Sequence, residues 1–140
     1  MIASVSLKWT GDMSFEGDVD GHKIPLDIST EMGGNDTGPR PKKLMLLALA
    51  GCTAMDVVSL LKKMRVDVEE FDIDVEAYQT ETTHPHVYEW FKIKYKFKGV
   101  GLDTQMDKIS KAINLSKEKY CGVSAMLEKI GPVSYEIEIY

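Results

Sequence analysis

Two cysteines are the residues of this 140-residue chain best suited to chemistry. Cys52 sits in the middle of the most apolar segment, Leu44 to Leu61. Cys121 follows a helical pattern and precedes a small-residue turn, Tyr120-Cys-Gly-Val-Ser124. An ionised thiol with a second thiol nearby can attack an oxidant and then be resolved as a disulfide. On an apolar helix a cysteine can equally be a small buried hydrophobe. Three features favour chemistry at Cys52. Ala48, Gly51 and Thr53 are small neighbours that leave room for a substrate or another chain. Asp56 lies one helical turn further on, and an acid in so apolar a helix needs a buried partner or access to water. The third feature is the second cysteine, which could occupy the N-cap of a short helix, where free N–H groups lower a thiol's pKa.

Other constellations are weaker. His84-Pro-His86 offers two imidazoles, but the spacing matches no zinc pattern, so it reads as a polar loop and no metal site is expected. His22, beside the Asp20-Gly21 turn, reads as a surface residue. Gly33-Gly34 lacks the spacing of a phosphate-cradling loop, and no Gly-x-Ser-x-Gly elbow is present.

The composition sets bounds. With 44% hydrophobic residues the chain can build a core, and its length fits a single domain over residues 1–140. The net charge of −5 gives no basic footprint for nucleic acid. Two cysteines do not make a secreted disulfide scaffold, and Met1 to Lys8 reads as a strand rather than a leader, so the expected location is the cytoplasm. Leu44 to Leu61 approaches the length of a membrane span. Asp56, Thr53, Ser59 and Gly51 argue against one, and no membrane partner is expected.

The elements that must position the thiols follow from periodicity. Ala3, Val5, Leu7 and Trp9 alternate with polar residues as in a half-buried strand. A second strand near Met13 to Val19, the Asp20-Gly21 hairpin signal and a third strand through Ile24, Leu26 and Ile28 complete a meander. Glu31 to Pro41 is a Gly/Pro-rich loop. Pro41 suits a helix start, and the helix is expected to run to about Arg65, buried on most sides. Phe71 to Ala77 and Phe91 to Phe97 alternate as strands whose wet faces are acidic and basic respectively, so as antiparallel neighbours they would form cross-strand ion pairs. A helix from about Leu102, capped by Asp103 or Thr104, carries Met106, Ile109, Ile113, Ser116 and Tyr120 on one face. A short helix from Gly122 to about Ile130 and a last strand through Tyr135, Ile137 and Ile139 follow. The order βββ-α-ββ-αα-β predicts an α+β fold with a long central helix against curved antiparallel sheets.

Pro41-Lys-Lys-Leu-Met-Leu-Leu-Ala-Leu-Ala-Gly-Cys-Thr-Ala-Met-Asp-Val-Val58 resembles the first cysteine motif of the OsmC/Ohr family. Leu115-Ser-Lys-Glu-Lys-Tyr-Cys-Gly-Val-Ser124 is similar to its second. The resemblance implies an intertwined homodimer with sites at the interface, Cys52 as peroxidatic thiolate and Cys121 as resolving thiol. It implies reduction of an apolar organic hydroperoxide in oxidative-stress defence, regeneration by a dithiol reductant, and no metal or organic cofactor. The family's hydroperoxide reductases pair the first cysteine with an arginine from the N-terminal hairpin and a glutamate after the helix-initiating proline. Here Lys42 and Lys43 follow Pro41, and Trp9 to Phe15 contains no arginine. Helix rise alone puts Lys43 roughly 13 Å along the axis from Cys52. The alternative is a non-catalytic dimeric relative that binds a small hydrophobic ligand or senses oxidation.

Overall fold

The structure, a computed structural model, describes residues 1–140. It divides into two compact units, Met1–Met45 and Leu46–Tyr140.

The first unit is a three-stranded antiparallel meander, β1 (Ser6–Gly11), β2 (Ser14–Val19) and β3 (His22–Leu26), in the order β1-β2-β3. The β2–β3 turn is the one the sequence announces: Asp20 and Gly21 have φ of 53° and 82°, the positive pair a tight hairpin requires. The apolar face of β1 is not half-buried as its alternation suggests, for Leu7 and Trp9 are 57% and 65% exposed. A three-stranded sheet of this size has too little of its own chain to cover one face. Its one buried side chain is polar, that of Asp27.

Asp27 organises the Gly-rich loop. Its carboxylate accepts hydrogen bonds from the hydroxyls of Ser14 and Thr37 and from the backbone N–H of Ile28, Asn35 and Thr37. The loop lies so close to β3 that a Cβ on Gly34 would strike the Ile28 carbonyl and sit 2.7 Å from Asp27 Oδ1, and one on Gly38 would strike the Pro25 carbonyl.

The second unit holds the hydrophobic core. A single 3-10 turn, Pro41–Lys43, leads into α1 (Leu44–Lys63). By length and composition this helix could cross a membrane. It buries one stripe, Leu49, Thr53, Val57 and Leu61, each one turn from the next. The expectation of a helix buried on most sides is therefore corrected: Leu47, Met55 and Val58 are exposed. Strands β4 (Glu70–Gln79), β5 (Tyr88–Lys98) and β6 (Val133–Ile139) form a sheet with β5 in the middle. Phe91, Ile93, Tyr95 and Phe97 of β5 point into the core.

This sheet is mixed rather than antiparallel throughout. β4 and β5 pair antiparallel, but β5 and β6 run parallel. The chain between them is long enough for a helical crossover, which a parallel pair demands. The lysines of β5 are shared by both neighbours: Lys96 pairs with Asp74 at 2.8 Å and Lys98 with Glu70 at 3.6 Å, while Lys92 meets Glu136 at 3.2 Å and Lys94 reaches both Glu136 and Glu138.

The crossover begins with a 3-10 turn, Leu102–Gln105, and continues as α2 (Met106–Leu115). Neither Asp103 nor Thr104 caps α2 by a side chain; the Thr104 hydroxyl instead donates back to the carbonyl of Gly101, which lies in the left-handed region. A π-helical turn, Ser116–Tyr120, and α3 (Gly122–Leu127) complete it.

Candidate functional site

Three elements of the second unit bring the site together. Helix α1 supplies Cys52, Thr53 and Asp56. The buried stripe fixes its rotation, turning Thr53 inward and leaving Cys52 and Asp56 half-buried at its edge. Strand β5 supplies Tyr95 from its core face. The π-helical turn supplies Ser116 and delivers Cys121 to the start of α3. The N–H of Cys121 bonds the Ser116 carbonyl at 2.8 Å, the wide closure of a π turn, and Cys121 then leaves the helix with extended backbone angles.

The two thiols and the Asp56 carboxylate converge. One ligand atom from each of Cys52, Asp56 and Cys121 lies within 4.8 Å of the other two. Both cysteines are free; Cys121 is buried, and Cys52 has partial access to solvent. His84 and His86 take no part in this group. Their rings contact each other in the loop between β4 and β5, as the polar-loop reading expects.

Cys121 does cap α3, its sulfur accepting from the Ser124 N–H at 3.3 Å. The expected consequence, a lowered pKa, does not follow. Burial pushes the Cys121 thiol up to about 11, the Ser124 N–H opposes the shift, and the hydrogen-bonded Cys52 thiol and nearby Asp56 carboxylate reinforce it. One weak backbone donor does not outweigh desolvation and two groups that repel a thiolate. The Ser124 hydroxyl is buried without a hydrogen-bond partner.

Beneath the sulfurs runs a chain of hydroxyls. Ser116 Oγ donates to Asp56 Oδ2 at 2.9 Å. Its single proton is spent there, so at 2.9 Å from Ser116 it is Thr53 that donates, and at 2.7 Å from Thr53 it is Tyr95. Every proton points toward the carboxylate. Burial pushes the Tyr95 hydroxyl up to about 12, so it stays a donor at any ordinary pH. The role of this chain in holding Asp56 is not visible in residue spacing. Its signal is subtler: Thr53, Tyr95 and Ser116 each stand at a core-facing position where the pattern calls for an apolar residue, and buried hydroxyls need partners. Beside Asp56, Ser59, Leu60, Lys63 and Tyr120 complete the lining of a cavity of about 180 Å³.

Comparisons with known proteins identify the family and the fold. The model of the OsmC-like protein family matches residues 33–136. Protein YhfA of Escherichia coli (strain K12) is 33% identical over 134 residues, 95% of each chain. A hypothetical protein from Aquifex aeolicus VF5 superposes with a TM-score of 0.80 at 27% identity, covering 100% of this chain and 98% of that one. An organic hydroperoxide resistance protein OsmC from Legionella pneumophila superposes at 0.68 with 14% identity, covering 99% and 97%, a likeness of fold. With its family motif, α+β architecture and two adjacent thiols accounted for together, this chain belongs to the OsmC-like family.

Proposed function

We propose that this protein reduces organic hydroperoxides, with Cys52 as attacking thiolate and Cys121 as resolving thiol. The observation that carries the reading is the separation of the two sulfurs, no more than 4.8 Å. A disulfide needs about 2.05 Å, so the two sulfurs start as neighbours and must draw closer for the bond to form. Solvent access supports these roles, since Cys52 is half-buried and Cys121 is buried.

The electrons balance in three steps. The Cys52 thiolate attacks the outer oxygen of ROOH, the O–O bond breaks, the alkoxide RO⁻ leaves and takes a proton from solvent to become ROH, and Cys52 becomes a sulfenic acid. The Cys121 sulfur attacks the sulfenic sulfur, forming the disulfide and releasing water. A dithiol then reduces the disulfide and is itself oxidised. Sulfur carries the redox change, so this step requires no organic cofactor.

The proposal includes a homodimer and a cytoplasmic location, where dithiol reductants are available. Support for the dimer comes from apolar side chains exposed on β1 and on α1. The test is one equivalent of cumene hydroperoxide at neutral pH in the presence of a chelator. Both thiols should disappear, peptide mapping should find Cys52 joined to Cys121, and Cys52→Ser should not turn over. An unchanged thiol titre would sink the reading.

A second reading draws on the environment of Cys121, where burial and two neighbours disfavour the thiolate. A second thiol held protonated in this way suits a sensor of oxidation or a binder of a small hydrophobic ligand. Saturable binding of such a ligand, equal in the wild type and in Cys52→Ala, would favour it.

A further inference from the structure

We propose that the reduced protein binds a thiophilic divalent cation, of the Zn²⁺ class, through Cys52, Asp56 and Cys121. The donors come from two fixed places: Cys52 and Asp56 are one turn apart on the same edge of α1, and Cys121 is held at the start of α3. Their ligand atoms lie within 4.8 Å of one another. Donors around tetrahedral zinc stand about 3.5–3.8 Å apart, from bond lengths of about 2.3 Å to sulfur and about 2.0–2.2 Å to carboxylate oxygen. The three therefore need to close by about 1 Å, within side-chain adjustment.

The donor set has the right chemistry. Two sulfurs select a soft or borderline ion over Mg²⁺ or Ca²⁺. Asp56 has the supporting hydrogen bond that metal-ligating carboxylates use, donated by Ser116 and backed by Thr53 and Tyr95. That bond engages Oδ2. Three anionic donors leave a fourth position for water or a small ligand, and one of the three, Asp56, also lines the neighbouring cavity. A cation there would replace the repulsion among these groups with attraction. It would also hold both sulfurs, so that cation binding and oxidation of the thiol pair exclude each other.

The inference stands independently of peroxide reduction, because it concerns the reduced protein without oxidant. The experiment is anaerobic titration of the full chain with Co²⁺, followed by displacement with Zn²⁺. We expect a sulfur-to-cobalt charge-transfer band that saturates at one ion per chain and is bleached by Zn²⁺. Cys52→Ser and Cys121→Ser should each lose about half its intensity. Ser116→Ala, which keeps all three donors, should weaken affinity about 10- to 100-fold. In the wild type, Zn²⁺ should slow modification of Cys52 by a thiol reagent, and chelation should restore the rate. Absence of the band, a band unchanged in both serine variants, or a modification rate indifferent to Zn²⁺ would overturn the proposal. A protein can pass this test and fail the hydroperoxide test, or the reverse, so the two failures are distinguishable.

Discussion

Thr53 is the residue on which the site's polar chain turns. It is buried, it receives the Tyr95 proton, and it passes its own to Ser116. Thr53→Val keeps the shape and removes both bonds, leaving the Tyr95 hydroxyl without its acceptor and Ser116 without its donor. An unsatisfied buried group costs about 1–3 kcal/mol. Urea denaturation should show a loss in that range, and adding Tyr95→Phe should recover part of it, since the orphaned hydroxyl is then gone. If the double variant is less stable by the full sum of the two single ones, the chain is not coupled as described. Cys121 supports a second expectation. With its thiol pushed up to about 11 and buried, alkylation in chelated buffer should leave it unmodified at neutral pH while Cys52 reacts. Mass mapping of the modified cysteine against pH checks this, and labelling of Cys121 ahead of Cys52 would contradict it.

Among the elements, the loop before α1 depends on a single carboxylate. Burial alone would raise the pKa of Asp27, but hydrogen bonds from Thr37, Ile28 and Ser14 outweigh it and hold the carboxyl well below its usual range. The folded value lies below the unfolded one, so the stabilisation is complete above about pH 4 and is lost as pH falls further. Wild-type protein should therefore lose stability in acid below about pH 4 more steeply than Asp27→Asn, and the variant should melt at lower temperature at pH 7. Thermal scans across that range decide it; parallel curves would mean the carboxylate does not hold the loop. None of this was legible in the sequence, where Glu31 to Pro41 reads only as Gly/Pro-rich. The strands were more legible. Period-two alternation located β4, β5 and β6, and the opposite charges of Phe71–Ala77 and Phe91–Phe97 anticipated their pairing. Alternation within a strand carries no information about which neighbour lies on its other side. The parallel β6, whose glutamates take Lys92 and Lys94, therefore had no signature. Both thiols were legible as a pair, because cysteine is rare here and each stood at a helix. Their convergence was not, since it rests on a π-helical turn that no residue pattern announces.

For the whole molecule, the apolar surface is what a lone chain leaves unexplained. Val5, Leu7 and Trp9 form one exposed row on the N-terminal meander, and Leu47, Met55 and Val58 line α1 away from its buried stripe. Large apolar patches on soluble proteins mark interaction sites, and desolvating a Val, Leu or Met side chain contributes about 1.5–3 kcal/mol. The same helix has the hydropathy of a membrane span, yet its buried stripe packs against its own sheet and Asp56 sits in its middle. In the proposed homodimer a second copy, rather than lipid, would cover this apolar face. The proposed homodimer should sediment at twice the 15.7 kDa chain mass without detergent. Val58→Asp and Trp9→Asp place a charge in each patch, and each should shift the species toward monomer and lower the melting temperature. Because the patches belong to different units, the two variants test the assembly separately. A wild type that sediments as a monomer at tens of micromolar, or variants that remain dimeric and equally stable, would show that the exposed rows are not an interface between copies.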